Sequence, residues 1–436
     1  MRRLSTRSAQ FSLELSASID HAGLIAPEVH QTVSEIIRAV RETGDQALLH
    51  YAEQFDDFKP PSIESLRVSP SEMAAACELI SRPVDDALRL AAERVGDYHQ
   101  RQLEALGQSW EFEDALGNVL GQRVQPMARV GVYAPGGKAC YPSTVLMTAI
   151  PAKVAGVASV VLMAPAKGGA MSPVLLAAAH YAGVDEVWIM GGAQAIAAMA
   201  YGTQSVLSVD KICGPGNVFV TAAKKQVYGD VGIDMLAGPS EVLVVADDSA
   251  RVDWVIADLL AQAEHDEQAQ SIVVSQSASF LDAVQAGLAD MVAAQPRRAI
   301  IEDSLRHRGL LIHAETAEDL IISVINRVAP EHLELAINNP EGLLPDIRSA
   351  GAIFLGQYSP EVLGDYTAGP SHVLPTSGTA RFASALGVYD FQLKQSLIHC
   401  SADGGREIAK SAAVLAEEEG LYAHALSAAK RFETGE

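Results

Sequence analysis

From about residue 128 the chain alternates short β-branched runs with alanine-rich segments, and that rhythm leaves few folds open. ARVGVYAP, ASVVLMAP and EVWIM have the length and composition of buried strands. STVLMTAIPAKVAG and SPVLLAAAHYAG, which separate them, read as helices. Strand, crossover helix, parallel strand is the repeating unit of a mostly parallel sheet. The alternation resumes at EVLVVAD (241–247), followed by a helix at 251–269, SIVVS and a helix at 278–293. GLLIHA, a helix at 316–327, HLELAI and AIFLG complete it. The reading is α/β, in two similar blocks at about 133–240 and 241–386. A duplicated mononucleotide-type unit is expected, although no strong residue-level repeat accompanies it.

Residues 26–108 read as helical, with Pro27-Glu28-Val29 opening one helix and VDDALRLAAERVGDYHQRQLEAL carrying apolar residues at helical spacing. After Gly378 the texture changes to a strand-like FQLKQSLIH and then helices in GREIAKSAAVLAEEEG and LYAHALSAAKRF. So short a tail buries little by itself and must pack on the main body or on a second subunit. The whole chain, 436 residues of which 49% are hydrophobic, is too long for one ordinary domain. Its formal net charge of −22 makes nucleic acid and anionic membranes poor partners. No apolar stretch runs long enough uninterrupted to cross a membrane, and the N-terminus lacks the apolar core of a signal peptide. The four cysteines, Cys77, Cys140, Cys213 and Cys400, form no C-x-x-C pair, which suits a reducing compartment. A cytoplasmic protein is expected.

Three glycine turns punctuate the first α/β block. Tyr133-Ala134-Pro135-Gly136-Gly137 follows its first strand, Gly191-Gly192-Ala193-Gln194 follows EVWIM, and Gly214-Pro215-Gly216-Asn217 precedes VFVTAAKKQVYG. Glycine lets backbone approach a ligand closely, and a helix N-terminus offers free N–H groups to a phosphate. The dinucleotide pattern G-x-G-x-x-G fails at its last position, where Phe219 stands. Each turn alone is ordinary; three in one block point to a ligand at the carboxyl ends of parallel strands.

Four residues further on have the chemistry of metal ligands: Gln262 and His265 in AEHDEQAQ, Asp365 in GDYTAGPSH and His424 in EGLYAHALS. Gln262 and His265, three apart in one helix, would share a face. Asp365 is expected in a loop and His424 on the last helix. Two nitrogens with two oxygens suit Zn²⁺, and also Mn²⁺ or Co²⁺. A solvated helix face, an Asx-turn and a packing histidine are the plainer readings of the same residues. Between them stand Glu331 and His332 after Pro330. Proline at the first helical position would place both in a first turn, where the helix dipole keeps an imidazole neutral and able to act as a base.

Together these elements resemble the L-histidinol dehydrogenase family. The resemblance covers essentially the whole chain and is carried by GVYAPGG, KICGPGNVFV, DMLAGPSEVLVVAD, LLAQAEHDEQAQ, NRVAPEHLELAI and GQYSPEVLGDYTAGPSHVLPTSGTARFASALGVYDF. It implies a four-electron oxidation of L-histidinol to L-histidine through L-histidinal, with two NAD⁺ reduced. It implies one zinc per subunit held by Gln262, His265, Asp365 and His424, which grips the substrate. His332 would act as base and Glu331 would activate water. Ser240, Glu419, Gln262, His265, His332, Asp365 and His424 match substrate contacts, with His372 near, and Tyr133, Gln194 and Asn217 match NAD contacts. The implied architecture is two incomplete Rossmann-like domains: residues 25–132 with 241–386, and residues 133–240. A 1–24 arm precedes them, and a 387–436 tail is exchanged in a homodimer whose active site both subunits build.

Three other readings stand beside this one. A paralogue would oxidise another hydroxymethyl compound, such as a sulfonated diol, with the same zinc, NAD and Glu331-His332. A thiol-dependent aldehyde dehydrogenase would use Cys140 or Cys213 as nucleophile. A non-catalytic zinc-dependent binder of histidine-like ligands would leave Glu331-His332 without a purpose.

Overall fold

A computed structural model describes residues 1–20, 26–136 and 140–432. In the first half of the chain the strands are β1 (Arg2–Ser5), β2 (Arg67–Val68), β3 (Trp110–Glu113), β4 (Val119–Pro126), β5 (Arg129–Tyr133), β6 (Ser159–Ala164), β7 (Glu186–Ile189), β8 (Lys211–Cys213) and β9 (Gly232–Ile233). The second half adds β10 (Glu241–Ala246), β11 (Gln270–Ser275), β12 (Leu310–His313), β13 (His332–Ala336), β14 (Ala352–Leu355) and β15 (Gln392–His399).

Two six-stranded sheets share one topology. The first has the order β2-β7-β6-β5-β8-β9 and the second β1-β12-β11-β10-β13-β14. In each, the chain runs outward over three parallel strands and then returns to the other side of the first. The strand order therefore reverses between β5 and β8, and again between β10 and β13. The repeat absent from the residues is present in the topology, as expected of a duplicated unit. The edges differ: β1 joins in parallel and β2 antiparallel.

The sheets are covered on both faces, so their strands read as continuous apolar runs. On β10, Val242 and Val244 enter a core with Leu259, Val284 and Ile301, while Leu243 and Val245 enter the opposite core with Leu15, Val324 and Leu333. That division is the two-residue period of a strand.

The helical segment packs on the first sheet. Val33, Leu48, Leu88 and Val95 share one core with Val132, Ala149 and Ile196. These helices thus cover one face of the β5-containing sheet. The reason is local: helix Pro27–Thr43 turns its apolar stripe of Val33, Ile36, Ile37 and Val40 onto the neighbouring helices Gly192–Tyr201 and Val218–Val227. The N-terminal residues, expected as an arm, contribute β1 to the second sheet.

The tail does not stand alone either. β15 pairs antiparallel with β4 over its whole length, and β4 pairs with β3, so residues 110–126 belong with 392–399 in a third sheet. Helices Ala402–Glu418 and Tyr422–Ala429 follow and pack on each other. Among the described residues no helix is long and apolar enough to cross a membrane.

Candidate active site

The three glycine turns converge where the first sheet reverses its strand order. Tyr133 ends β5, and its hydroxyl accepts a hydrogen bond from the Gly192 N–H at 3.1 Å. A Cβ on Gly136 or on Gly191 would strike Pro165, which ends β6, so both turns lean on one proline. Gly214 has φ +108°, and a Cβ there would lie 2.1 Å from the Tyr133 carbonyl oxygen, so only glycine fits. Gln194 is buried in the first turn of helix Gly192–Tyr201, and its Oε1 has no hydrogen-bond partner among the described residues. Such an oxygen is costly to leave unpaired and fits a ligand donor. Asn217 caps helix Val218–Val227, with Oδ1 accepting from the Phe219 and Val220 N–H groups. The expectation of free first-turn N–H groups there is corrected, because the asparagine already satisfies two of them. Gly137 lies outside the described residues.

Glu331 and His332 are not in a helix. Ala329 adopts a left-handed conformation at φ +48°, and His332 is the first residue of β13. Pro330 follows a turn instead of opening a helix, and LELA is a buried strand. Both side chains are anchored on the facing strand through one residue. The Glu241 N–H donates to Glu331 Oε2 at 2.8 Å, and His332 Nδ1 donates to the Glu241 carbonyl at 3.0 Å. With Nδ1 so engaged, Nε2 is the nitrogen left for another partner. It is buried, has no hydrogen bond among the described residues and lies 3.6 Å from Asp365 Oδ1.

The electrostatics also differ from expectation. Burial would lower the pKa of His332, but the carboxyls of Glu331, Asp365 and Glu361 outweigh it and hold the imidazole well above its usual value. There is no helix dipole here to keep the ring neutral. Burial raises Glu331 to about 8, against the opposing pull of His332. Behind the pair, Glu361 and Glu334 are buried, and the Glu361 N–H donates to Glu334 Oε1 at 2.6 Å. Sequence reading missed Glu241, Glu334 and Glu361; for the first two, a charge within a strand-like apolar run was the available signal, and Glu361, at the start of a short helix, gave none.

Asp365 sits on the short helix Glu361–Tyr366 instead of in a loop. Burial raises its pKa, but His332, followed by His372 and His265, overcomes this and holds it below the ordinary value. Helix Val252–Ala263 ends before His265, whose N–H donates to the Gln262 carbonyl at 3.3 Å in the closing turn. The two residues are thus a helix end and its exit, not one helical face. Gln262 is 1% exposed, and its Oε1 lacks a partner. His372 ties the sheets together: Nδ1 donates to the Asp365 carbonyl at 3.1 Å, and Nε2 accepts from Thr144 at 3.3 Å. Thr144 lies in the helix that follows the Tyr133 turn.

Among the described residues, no three His, Cys, Asp or Glu side chains gather closely enough to hold a metal. The expected set supplies only His265 and Asp365 of those types near Gln262. His424 and Glu419 lie exposed on the tail. Ser240 is half-buried immediately before Glu241. Burial pushes both candidate thiols upward, Cys213 well above its ordinary value, which disfavours a thiolate route.

The histidinol dehydrogenase profile matches residues 21–432. The chain is 51% identical to histidinol dehydrogenase of Pseudomonas savastanoi pv. phaseolicola, over 99% of this chain and 95% of that one. It is 50% identical to histidinol dehydrogenase of Psychrobacter arcticus, over 99% and 100%. The chain belongs to the histidinol dehydrogenase family. The crystal structure of histidinol dehydrogenase from Elizabethkingia anophelis superposes with a TM-score of 0.92 at 34% identity, covering 99% of this chain and 98% of that one. Family membership makes the chain an NAD-dependent oxidoreductase.

Proposed function

We propose that this chain oxidises L-histidinol to L-histidine through L-histidinal, with two NAD⁺ and one water consumed. The carrying observation is the Glu331–His332 pair, fixed on Glu241 and facing Asp365, with His372 leading from Asp365 to the Tyr133 side of the molecule.

His332 Nε2 takes the alcohol proton, and later that of the hydrated aldehyde, while its Nδ1 bond to Glu241 keeps the ring from turning. Glu331 removes a proton from the water that attacks the aldehyde. Gln262, His265 and Asp365, with the partner's tail supplying His424, suit zinc. The orphaned, buried Gln262 oxygen supports this donor set. Bound zinc would hold the substrate's imidazole and amine and offset the carboxylate charge around His332. Tyr133, Gln194 and Asn217 would hold NAD⁺, which accepts the hydrides. Ser240 and the tail residue Glu419 would complete the substrate pocket.

The tail's unpartnered apolar surface, including Ile398, Leu415 and Tyr422, supports a homodimer in which the tail completes the other subunit's site. Four free cysteines fit a reducing cytoplasm.

The deciding measurement is NADH formed per L-histidinol consumed, with excess NAD⁺ and zinc. A ratio near two, with histidine as product, is expected. A ratio near one removes the water-activating role of Glu331. No NADH favours a different hydroxymethyl substrate. His332→Asn should abolish turnover, and oxidation at the parent rate would overturn the base assignment.

A further inference from the structure

Two charged side chains behind the Gly214–Asn217 turn take no part in the chemistry above. Lys224, on helix Val218–Val227, and Asp234, just past β9, form an ion pair with side-chain exposures of 3% and 1%. A buried pair is a weak source of stability, because desolvation offsets much of the attraction. This pair grips one residue. Lys224 Nζ donates to the Gly214 carbonyl at 2.9 Å, and the Gly214 N–H donates to Asp234 Oδ2 at 2.7 Å. The Met235 N–H donates to Asp234 Oδ1 at 2.6 Å and steadies the carboxylate.

Both polar groups of Gly214 are therefore turned inward. Pro215 has no N–H to offer. Asn217 Oδ1 is engaged in capping. The turn's remaining donors are the N–H groups of Gly216 and Asn217 and the side-chain NH₂ of Asn217. Among the described residues none of the three has a protein acceptor. They stand at the point where the strand order reverses, the place where parallel sheets bind nucleotides. The unpartnered, buried Oε1 of Gln194 follows β7 in the same sheet, at the turn bonded to Tyr133.

We propose that the Lys224–Asp234 pair positions a pyrophosphate-binding turn: by holding Gly214 from both sides, it sets the three donors of Gly216 and Asn217 toward one anionic group. This rests on the NAD⁺ reading above and adds to it which part of the cofactor the turn takes and what fixes the turn. The pair acts through Gly214 and touches no reacting atom.

The test is calorimetric titration of the dimeric protein with ADP-ribose, which carries a pyrophosphate, and with adenosine, which does not. The double variant Lys224→Met/Asp234→Leu replaces the pair with apolar groups and should keep the fold. ADP-ribose should bind it at least about tenfold more weakly than the parent, with adenosine unchanged. In turnover, KM for NAD⁺ should rise while kcat at saturation holds. Unchanged ADP-ribose affinity in a folded variant overturns the proposal. Failure of the parent to bind ADP-ribose overturns the cofactor reading beneath it. A measurement on the parent covers the case of a variant that does not fold: ADP-ribose should slow amide exchange at Gly216 and Asn217, and no protection there also overturns the proposal.

Discussion

Gln262 carries an unpaired oxygen in the interior, at a cost of roughly 1–3 kcal/mol. Its replacement separates folding from metal binding. Gln262→Leu should leave the chelated protein as stable as the parent or about 1 kcal/mol more stable, while zinc affinity falls. Denaturation with chelator and zinc titration measure the two effects; unchanged zinc affinity would remove Gln262 from the ligand set. Glu334 bears on stability through pH. Burial, and then the charge of Asp258, raises it from 4.5 to about 8. The folded state thus binds its proton more tightly than the unfolded chain, so this group's stabilisation is full below pH 4.5 and is lost as pH rises toward 8. Glu334→Gln, which keeps an oxygen for the Glu361 N–H, should raise Tm relative to the parent more at pH 9 than at pH 5. An equal shift at both would show that titration there is immaterial. The residues expected at the site were legible because their types are rare in such contexts. Their surroundings were not: Pro330 suggested a helix start against the strand reading of HLELAI, and only the chain fold shows that Ala329 turns straight into that strand and that three carboxyls surround His332.

At the scale of elements, β5–β7 and β10–β14 were plain in the sequence, because β-branched runs flanked by alanine-rich segments have few alternatives. β3 and β4 were missed; Trp110–Glu113 is exposed throughout and carries no apolar run. β8 is three residues long and hidden beside a glycine turn. Which surface the 25–132 helices cover was not legible either, for a physical reason. An amphipathic stripe such as Val33–Val40 shows that a helix packs, but not against which surface. The Lys224–Asp234 pair links helix Val218–Val227 to the segment after β9, and its energetics should be strongly non-additive. Lys224→Met alone leaves a buried carboxylate and should cost about 3–5 kcal/mol, whereas the double apolar variant should lie near the parent. Urea denaturation of both variants checks this, and additive losses would contradict it.

For the whole molecule, the tail presents Ile398, Leu415 and Tyr422 to solvent, while Tyr366, next to Asp365 in the chain, is also exposed. If each tail completes the other subunit's site, two inactive variants should complement. Mixed dimers of His332→Asn with His424→Ala contain one site with both native residues, so random exchange should restore about a quarter of parent activity. Persistent inactivity after verified exchange would show that each chain uses its own tail. The grip on Glu241 bears on how this protein fails. The bonds that align β13 with β10 at Val242 and His332 are continuous with those that orient the Glu331 and His332 side chains. A slip of one residue would put Leu333 where the imidazole belongs and turn the pair to the other face. Intermediate alignments with a half-competent catalyst are thereby excluded. Under heat or denaturant, turnover should fall as a head-count of intact molecules, each survivor working at full speed.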